Sequence, residues 1–387
     1  MPRLLILFSL CNLVIGTGAF VVSAILEPIG QGLGVSVPAA GQAMTAYAMA
    51  TALLAPILMV ATGHWRRKNA MLLAMLLFTA GNAVCALAPN LTTLLLGRVL
   101  MGIGSGFSPL AAGITVALVA PSLRGKALAL VFLGMSLSYA LGVPLGAWLG
   151  FTYGWHAPMA ASALASLAMV ALLAWKVPRD INAPGTSFKG LSGLLTQGPA
   201  LRVLGLTLLY FVAIFCTMAY IGPVLRALQP MSSATLALVL AMFGVSGAVG
   251  TAIGGYATDR FGTRTALVAM LSTLGATMAL LPLTQGSLFA VVAALLVWGC
   301  AGFGMMAPQQ ARLAALAPAQ APLLFSLNTS MLYIGTAVGA AVGGAAVGHV
   351  GFALLPWVGV PFALLGLSSL AWGRGKDSGP LAAATHG

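Results

Sequence analysis

Residues 254–267 read GGYATDRFGTRTAL, and residues 55–74 read APILMVATGHWRRKNAMLLA. In both, an apolar run ends on Ala-Thr, a short basic cluster follows, and another apolar run begins. Ala61-Thr62 precedes Ala257-Thr258 by 196 residues, about half the chain. Such a pair predicts a duplicated architecture in which, in each half, a charged turn at a membrane face joins two spanning helices. The copies differ at one telling position: the second has Asp259 where the first has Gly63.

Composition places the whole chain in a bilayer. Of the 387 residues, 60% are hydrophobic and 5% charged, with a mean hydropathy of +1.05, whereas a soluble domain carries about a quarter charged residues. Apolar runs of the roughly 20 residues needed to span a membrane recur at 5–26, 40–62, 70–88, 92–116, 126–149, 156–175, 203–225, 235–257, 265–283, 288–307, 323–347 and 352–372. The predicted fold class is all-α, an integral membrane protein with twelve transmembrane helices. The first run, of about 22 residues, exceeds the roughly 7 to 15 of a signal-peptide core, so the first helix is expected to be retained. Cys11, Cys85, Cys216 and Cys300 fall inside apolar runs without ligand spacing and read as small core residues. No metal and no cofactor is expected.

Of the 17 Lys and Arg, all but Arg98, within span 4, and Arg226, between spans 7 and 8, fall at the termini or in loops 2-3, 4-5, 6-7, 8-9 and 10-11. With twelve spans these positions share one side, which the positive-inside rule makes cytoplasmic, both termini included. The location expected is the cytoplasmic membrane. The net charge of +13 then answers to anionic lipid and calls for no nucleic acid. The longest loop is rich in Pro, Gly and Ser and divides the spans six and six. Residues 1–176 form the N-terminal half, 177–202 a cytoplasmic linker, 203–373 the C-terminal half and 374–387 a cytoplasmic tail. A short amphipathic helix is expected in the linker around Phe188 to Leu195.

The repeat extends well beyond the opening motif. At an offset of 197, Gly102 maps on Gly299, Ala120-Pro121 on Ala317-Pro318, Gly142 on Gly339, Gly146 on Gly343 and Gly154 on Gly351. Two six-span halves of equal orientation imply parallel repeats about a central cavity, the layout in which one half rocks against the other. In LGVPLGAWLG, Gly142, Gly146 and Gly150 recur every four residues on one helix face, where small residues let backbones approach, and Pro144 removes a hydrogen bond and bends the helix. Gly335, Gly339 and Gly343 form a similar stripe in span 11.

With these motifs, NLTTLLLGRVLMGIGSG (90–106), APQQARLAALAP (307–318) and LNTSMLYIGTAVGAAVGG (327–344), the chain resembles the major facilitator superfamily over nearly its whole length, and within it drug/proton antiporters and arabinose- or purine-type efflux permeases. The resemblance implies that the inner end of span 8 packs beside the start of span 5, and that of span 2 beside the start of span 11. SLRGKA at 122–127 then sets Arg124 and Lys126 opposite Asp259, and a gate of Asp259 with Arg124 and Arg260 or Arg264 is expected. AQAPLL at 319–324 offers no base opposite Gly63, so acid and partner are both missing there.

Only four acids exist: Glu27, Asp180, Asp259 and Asp377. Glu27 is the one carboxylate near a membrane cavity, and Asn12, Gly16, Phe20, Ser23 and Glu27 follow three- and four-residue steps along one helix face. Arg98 lies eight residues after Asn90, about 12 Å into the membrane at 1.5 Å per residue. A mid-helix arginine costs on the order of 3 kcal/mol, so it needs a partner. Glu27 in the same outer half, or backbone carbonyls, would serve. The resemblance implies a role for Arg98 in proton coupling. Further cavity candidates are Tyr139, Tyr210, Tyr220, Asn328 and Tyr333, although tyrosines also anchor helices at interfaces.

The sequence offers no GxxxxGK[ST] loop, no HExxH and no paired carboxylates, so no enzyme chemistry is expected. The expectation is a monomeric secondary transporter, exporting small amphipathic or cationic molecules against protons by alternating access. The alternatives are an importer or facilitator of a neutral sugar or nucleoside and, more remotely, a transport-dead membrane sensor or scaffold.

Overall fold

The computed structural model describes residues 2–120, 123–178, 181, 198–316 and 321–372, with Pro2, Val116, Arg124, Lys126, Ala321, Pro322, Leu323 and Trp372 described by their backbones alone. The expected linker helix at Phe188 to Leu195, the tail, Asp180 and Asp377 lie outside the described residues. Among those described, eleven helices are long and apolar enough to cross a membrane, and Leu355–Trp372 adds a twelfth of 18 residues. Helices are what lipid permits, because each satisfies its own backbone donors and acceptors. Leu96, Leu164, Leu238 and Leu364 are exposed on the bundle's outside, as hydrocarbon contact requires.

The spans run Pro2–Ala24, Val37–Ala61, Arg67–Ala86, Leu91–Leu118 (broken at Ser105-Gly106), Arg124–Tyr153 and His156–Lys176 in the first half. In the second they run Gly198–Met218, Ser233–Phe261, Thr263–Leu280, Leu288–Leu316 (broken at Met305), Ala321–Val350 and Leu355–Trp372. Spans 1 and 7 break at Ile25 and at Ala219-Tyr220 and resume as short helices, Leu26–Leu33 and Ile221–Leu228. The run read as 203–225 is therefore two helices, and the first begins at Gly198, inside the segment read as linker. The face bearing loops 2-3 and 8-9 is called the basic face below, and the other the opposite face.

The duplication is visible in capping chemistry. Ser36 and Ser232 accept hydrogen bonds from Ala39 N and Thr235 N, and Asn90 and Ser287 from Thr93 N and Ala290 N. These side chains satisfy orphan donors at the starts of spans 2, 8, 4 and 10. The turns after spans 5 and 11 both use a glycine at positive φ, Gly154 at 88° and Gly351 at 73°, a backbone region that side chains disfavour.

Each half packs in the same pattern: span 1 on 5 and 6, 2 on 4, and 3 on 4 and 6, with their counterparts in the second half. The glycine stripes do this work. Gly142, Gly146 and Gly150 face Thr17, Val21 and Ile25 of span 1, while Gly335, Gly339 and Gly343 face Leu208, Val212 and Cys216 of span 7. A π-helical turn at Ser138–Gly142 precedes Pro144, which lacks the N–H that regular winding would use. The halves meet where span 2 packs on span 11 and span 5 on span 8.

Candidate functional site

The seam between the halves is closed from the opposite face to mid-membrane. Gly222 lies against the Ala24 carbonyl, Tyr220 over Gly41, and a methyl on Gly244 would come within 2.5 Å of the Ala140 backbone. Aromatic rings fill the middle: Phe20 stacks on Tyr139 at 4.9 Å and tilts toward Phe215 at 6.2 Å, Tyr139 meets Phe303 at 5.3 Å, and Tyr47 meets Tyr333 at 6.4 Å. A cavity of about 20 Å³ remains, lined by Phe20, Ser23, Tyr139, Phe215, Met218 and Phe243 among others. That is room for about one water, against roughly 300 Å³ or more for a ligand pocket, so the centre must widen to hold a substrate.

Arg98 is fully buried. Its Nε donates to Ala43 O at 3.0 Å, Nη1 to Gly18 O at 2.8 Å and Nη2 to Ala19 O at 2.6 Å. The sulfurs of Met101 and Met44 stand at 3.8 and 3.9 Å, and the Tyr47 ring at 4.7 Å. The guanidinium thus braces span 4 to spans 1 and 2 through second lone pairs of helix carbonyls. Of the two partners expected for it, the structure selects the carbonyls. The Tyr47 hydroxyl, also buried, has no hydrogen-bond partner, a situation that costs about 1–3 kcal/mol.

Glu27 pairs elsewhere. Its Oε2 accepts from Arg226 Nη1 at 3.1 Å, and the guanidinium lies 4.0 Å over the Phe151 ring and also reaches Ser233 Oγ at 3.3 Å. The break at Ile25 turns Glu27 away from the stripe that carries Phe20 and Ser23 to the cavity. It sits instead in a cleft of about 490 Å³ at the opposite face, with Gln31, Trp155 and Arg226. Because Glu27 and Arg226 belong to the short helices after spans 1 and 7, the pair ties one half to the other. Sequence reading left Arg226 in a loop; its mapping on Gln31 and that of Pro223 on Pro28, both 195 residues apart, were the signal.

The remaining candidates divide. Tyr139 lines the cavity and Tyr333 faces Tyr47 across the seam. Tyr210 donates to Met306 Sδ at 3.5 Å and Tyr220 to Ala340 O at 3.0 Å, so both spend their hydroxyls inside the second half. Asn12 donates to Val131 O at 2.9 Å and accepts from Ser108 Oγ at 2.6 Å. In the second half, Thr207 donates to Asn328 Oδ1 at 2.5 Å and accepts from Gln309 Nε2 at 2.8 Å. These are equivalent knots joining spans 1, 4 and 5 and spans 7, 10 and 11, so Asn12 and Asn328 hold their own halves together. Thr207 and Gln309 were missed because nothing marks them apart from the repeat.

At the basic face the motif's cations cap helices. Lys68 Nζ donates to Ala174 O at 2.6 Å and Val177 O at 2.8 Å, and Arg264, its repeat mate, donates to Leu370 O at 3.0 Å. Both bind the C-terminal carbonyls of the last span of their half, where a cation is favoured. Arg264 is therefore committed to span 12 rather than to Asp259. Arg67 reaches the Gly63 carbonyl. Gly262, at φ 83°, ends span 8 just beyond exposed Asp259 and Arg260. The side chains of Arg124 and Lys126, both expected opposite Asp259, lie outside the described residues.

The chain matches the Major Facilitator Superfamily over residues 8–231 and 203–385. It is 32% identical over 356 residues to the inner membrane transport protein YdhP of Escherichia coli (strain K12), covering 91% of each, and 26% identical over 363 residues to a probable sugar efflux transporter of Pasteurella multocida (strain Pm70), covering 94% of this chain and 90% of that one. A bacterial homologue of the human lysosomal transporter Spinster, solved in an inward-facing and occupied conformation, superposes with a TM-score of 0.79 at 16% identity, covering 96% of both chains. With its duplicated helical halves and this family match, the chain belongs to the major facilitator superfamily and is a multi-pass membrane transporter of small molecules.

Proposed function

We propose that the protein exports small amphipathic molecules that carry no positive charge, by alternating access, with its basic face in the cytoplasm. The observation that carries this is the wall of the central cavity: aromatic rings, aliphatic side chains and a serine, with no carboxylate among the described lining residues. A cation taken from water into that space would meet nothing of opposite charge to offset its desolvation. This narrows the expectation drawn from sequence, which included cationic substrates. Export is supported by the resemblance of the span 5 glycine-proline pattern to the fifth-span motif of antiporters and by the efflux name of the Pasteurella relative. The conformation described, sealed at the opposite face by Glu27–Arg226 and Tyr220, suits loading from the basic face.

Protons are the proposed counter-ion and Glu27 the proposed carrier, because it is the one carboxylate at the seam among the described residues. A proton on Glu27 removes the charge that holds Arg226, and the opposite face opens. The test is an inverted vesicle containing the purified chain and a trapped pH probe, challenged with neutral, anionic and cationic amphiphiles. Proton release with neutral or anionic compounds, lost in Glu27→Gln, is expected. A response to cations alone would overturn the substrate class, and an unchanged response in Glu27→Gln the carrier.

A further inference from the structure

Four hydroxyls meet at the junction of spans 2, 4 and 11: those of Tyr47, Thr51, Ser105 and Tyr333. Thr51 donates to Tyr47 O at 2.9 Å and Ser105 to Gly102 O at 2.6 Å, so their protons are committed to backbone. The Tyr47 O–H is not. It is buried, has no partner within strict hydrogen-bond geometry although the Thr51, Ser105 and Tyr333 hydroxyls face it, and belongs to a ring with the Arg98 guanidinium 4.7 Å from its centre. A cation over a phenol ring draws electron density from the oxygen, making the O–H a better donor and a poorer acceptor. Arg98 brings a full charge neutralised by no carboxylate among the described residues, since its partners there are carbonyls, sulfurs and this ring. The Arg98 charge therefore makes the potential at the cluster positive, and its complement is an electron-rich oxygen.

Its place in the seam gives that complement a route in. Tyr333 belongs to the other half and faces Tyr47 across the span 2–span 11 contact. Tyr139, which lines the aromatic cavity, is within electrostatic range of both. The hydroxyl cluster and the aromatic cavity are thus two ends of one seam, and parting spans 2 and 11 would join them.

We propose that Tyr47 and Tyr333, backed by Arg98, form the polar end of the substrate site. This subsite takes an oxygen acceptor, a carboxylate above all, while the rings of Phe20, Tyr139, Phe215 and Phe243 take the apolar end. The fixed charge of Arg98 turns cations away. The proposal rests on the seam being the transport path.

The test needs no known substrate. In a background with the four native cysteines changed to alanine, Tyr333→Cys is treated with three methanethiosulfonates: sulfonatoethyl (anionic) and trimethylammonioethyl (cationic), which are of similar size, and the smaller methyl (neutral). Rates are normalised to those at the exposed control Ala234→Cys. The anionic reagent is expected to outpace the cationic one by about tenfold or more, the effect of a unit charge about 10 Å away in a partly desolvated site. Arg98→Lys should keep this ratio and Arg98→Gln should bring it toward one. Equal rates, or a preference for the cation, with Arg98 in place would overturn the proposal even if Arg98→Gln failed to insert, and would leave the transport reading standing. If the neutral reagent never reaches position 333 in the folded protein, yet labels it fully after denaturation, the seam is not a path and both readings fall.

Discussion

Breaking the ion pair between Glu27 and Arg226 should shift the transporter toward opening at the opposite face. The pair spans 3.1 Å, and its side chains are 26% and 27% exposed. At that distance an effective dielectric of 20 gives about 5 kcal/mol of direct attraction. Desolvation, side-chain entropy and solvent screening remove most of it, and partly exposed pairs measure at about 1 kcal/mol or less. The state that opens this face must part Leu26–Leu33 from Ile221–Leu228 and gives up the pair, so about 1 kcal/mol is its differential contribution. That corresponds to about fivefold in the ratio of closed to open populations. Spin labels at Gln31→Cys and Ala234→Cys, one in each half at this face, would report the populations by electron–electron distance measurement. Glu27→Gln and Arg226→Gln should each raise the long-distance fraction about fivefold, the double variant should add little to either, and the exchange Glu27→Arg with Arg226→Glu should restore the closed distribution. Unchanged distances in both single variants would refute the reasoning, as would an exchange variant as open as the singles.

Arg98→Lys keeps the charge but loses the planar fork that reaches carbonyls of two spans. Its thermal midpoint in detergent should fall, reflecting a loss of about 1–3 kcal/mol; an unchanged midpoint would show that the brace is idle. Gly244→Val should hold spans 5 and 8 apart, since the obstacle is the Ala140 backbone and cannot swing aside. Transport should drop more than tenfold at normal membrane levels, whereas Gly255→Ala, in open space, should be neutral. For Asp259, Asp259→Asn should raise labelling, from the basic face, of single cysteines in loops 4-5 and 10-11 and reduce transport, while Gly63→Asp should change little. Labelling equal to that of the unaltered protein would end the gate idea.

The residues themselves determined the fold class, the duplication and the helix-on-helix faces. Lipid leaves a chain of this hydropathy few options but helices, and glycines at four-residue steps mark close contact whatever the partner. They also marked Arg98 as needing compensation, because a charge in hydrocarbon is costly wherever it points. Tertiary structure alone decided what compensates it. A guanidinium can donate to a carboxylate or to carbonyls, and the Gly18, Ala19 and Ala43 oxygens stand within reach only once spans 1, 2 and 4 have packed. The fate of Glu27 turned on one local event, the break at Ile25, which rotated it off the stripe of Asn12 and Phe20 and toward an arginine 199 residues away. Tyr47 carried no sequence signal, since a tyrosine in an apolar run looks alike whether its hydroxyl is anchored or orphaned. Partnership is a property of three-dimensional neighbours, and in a bundle of long helices those neighbours come from spans far apart along the chain.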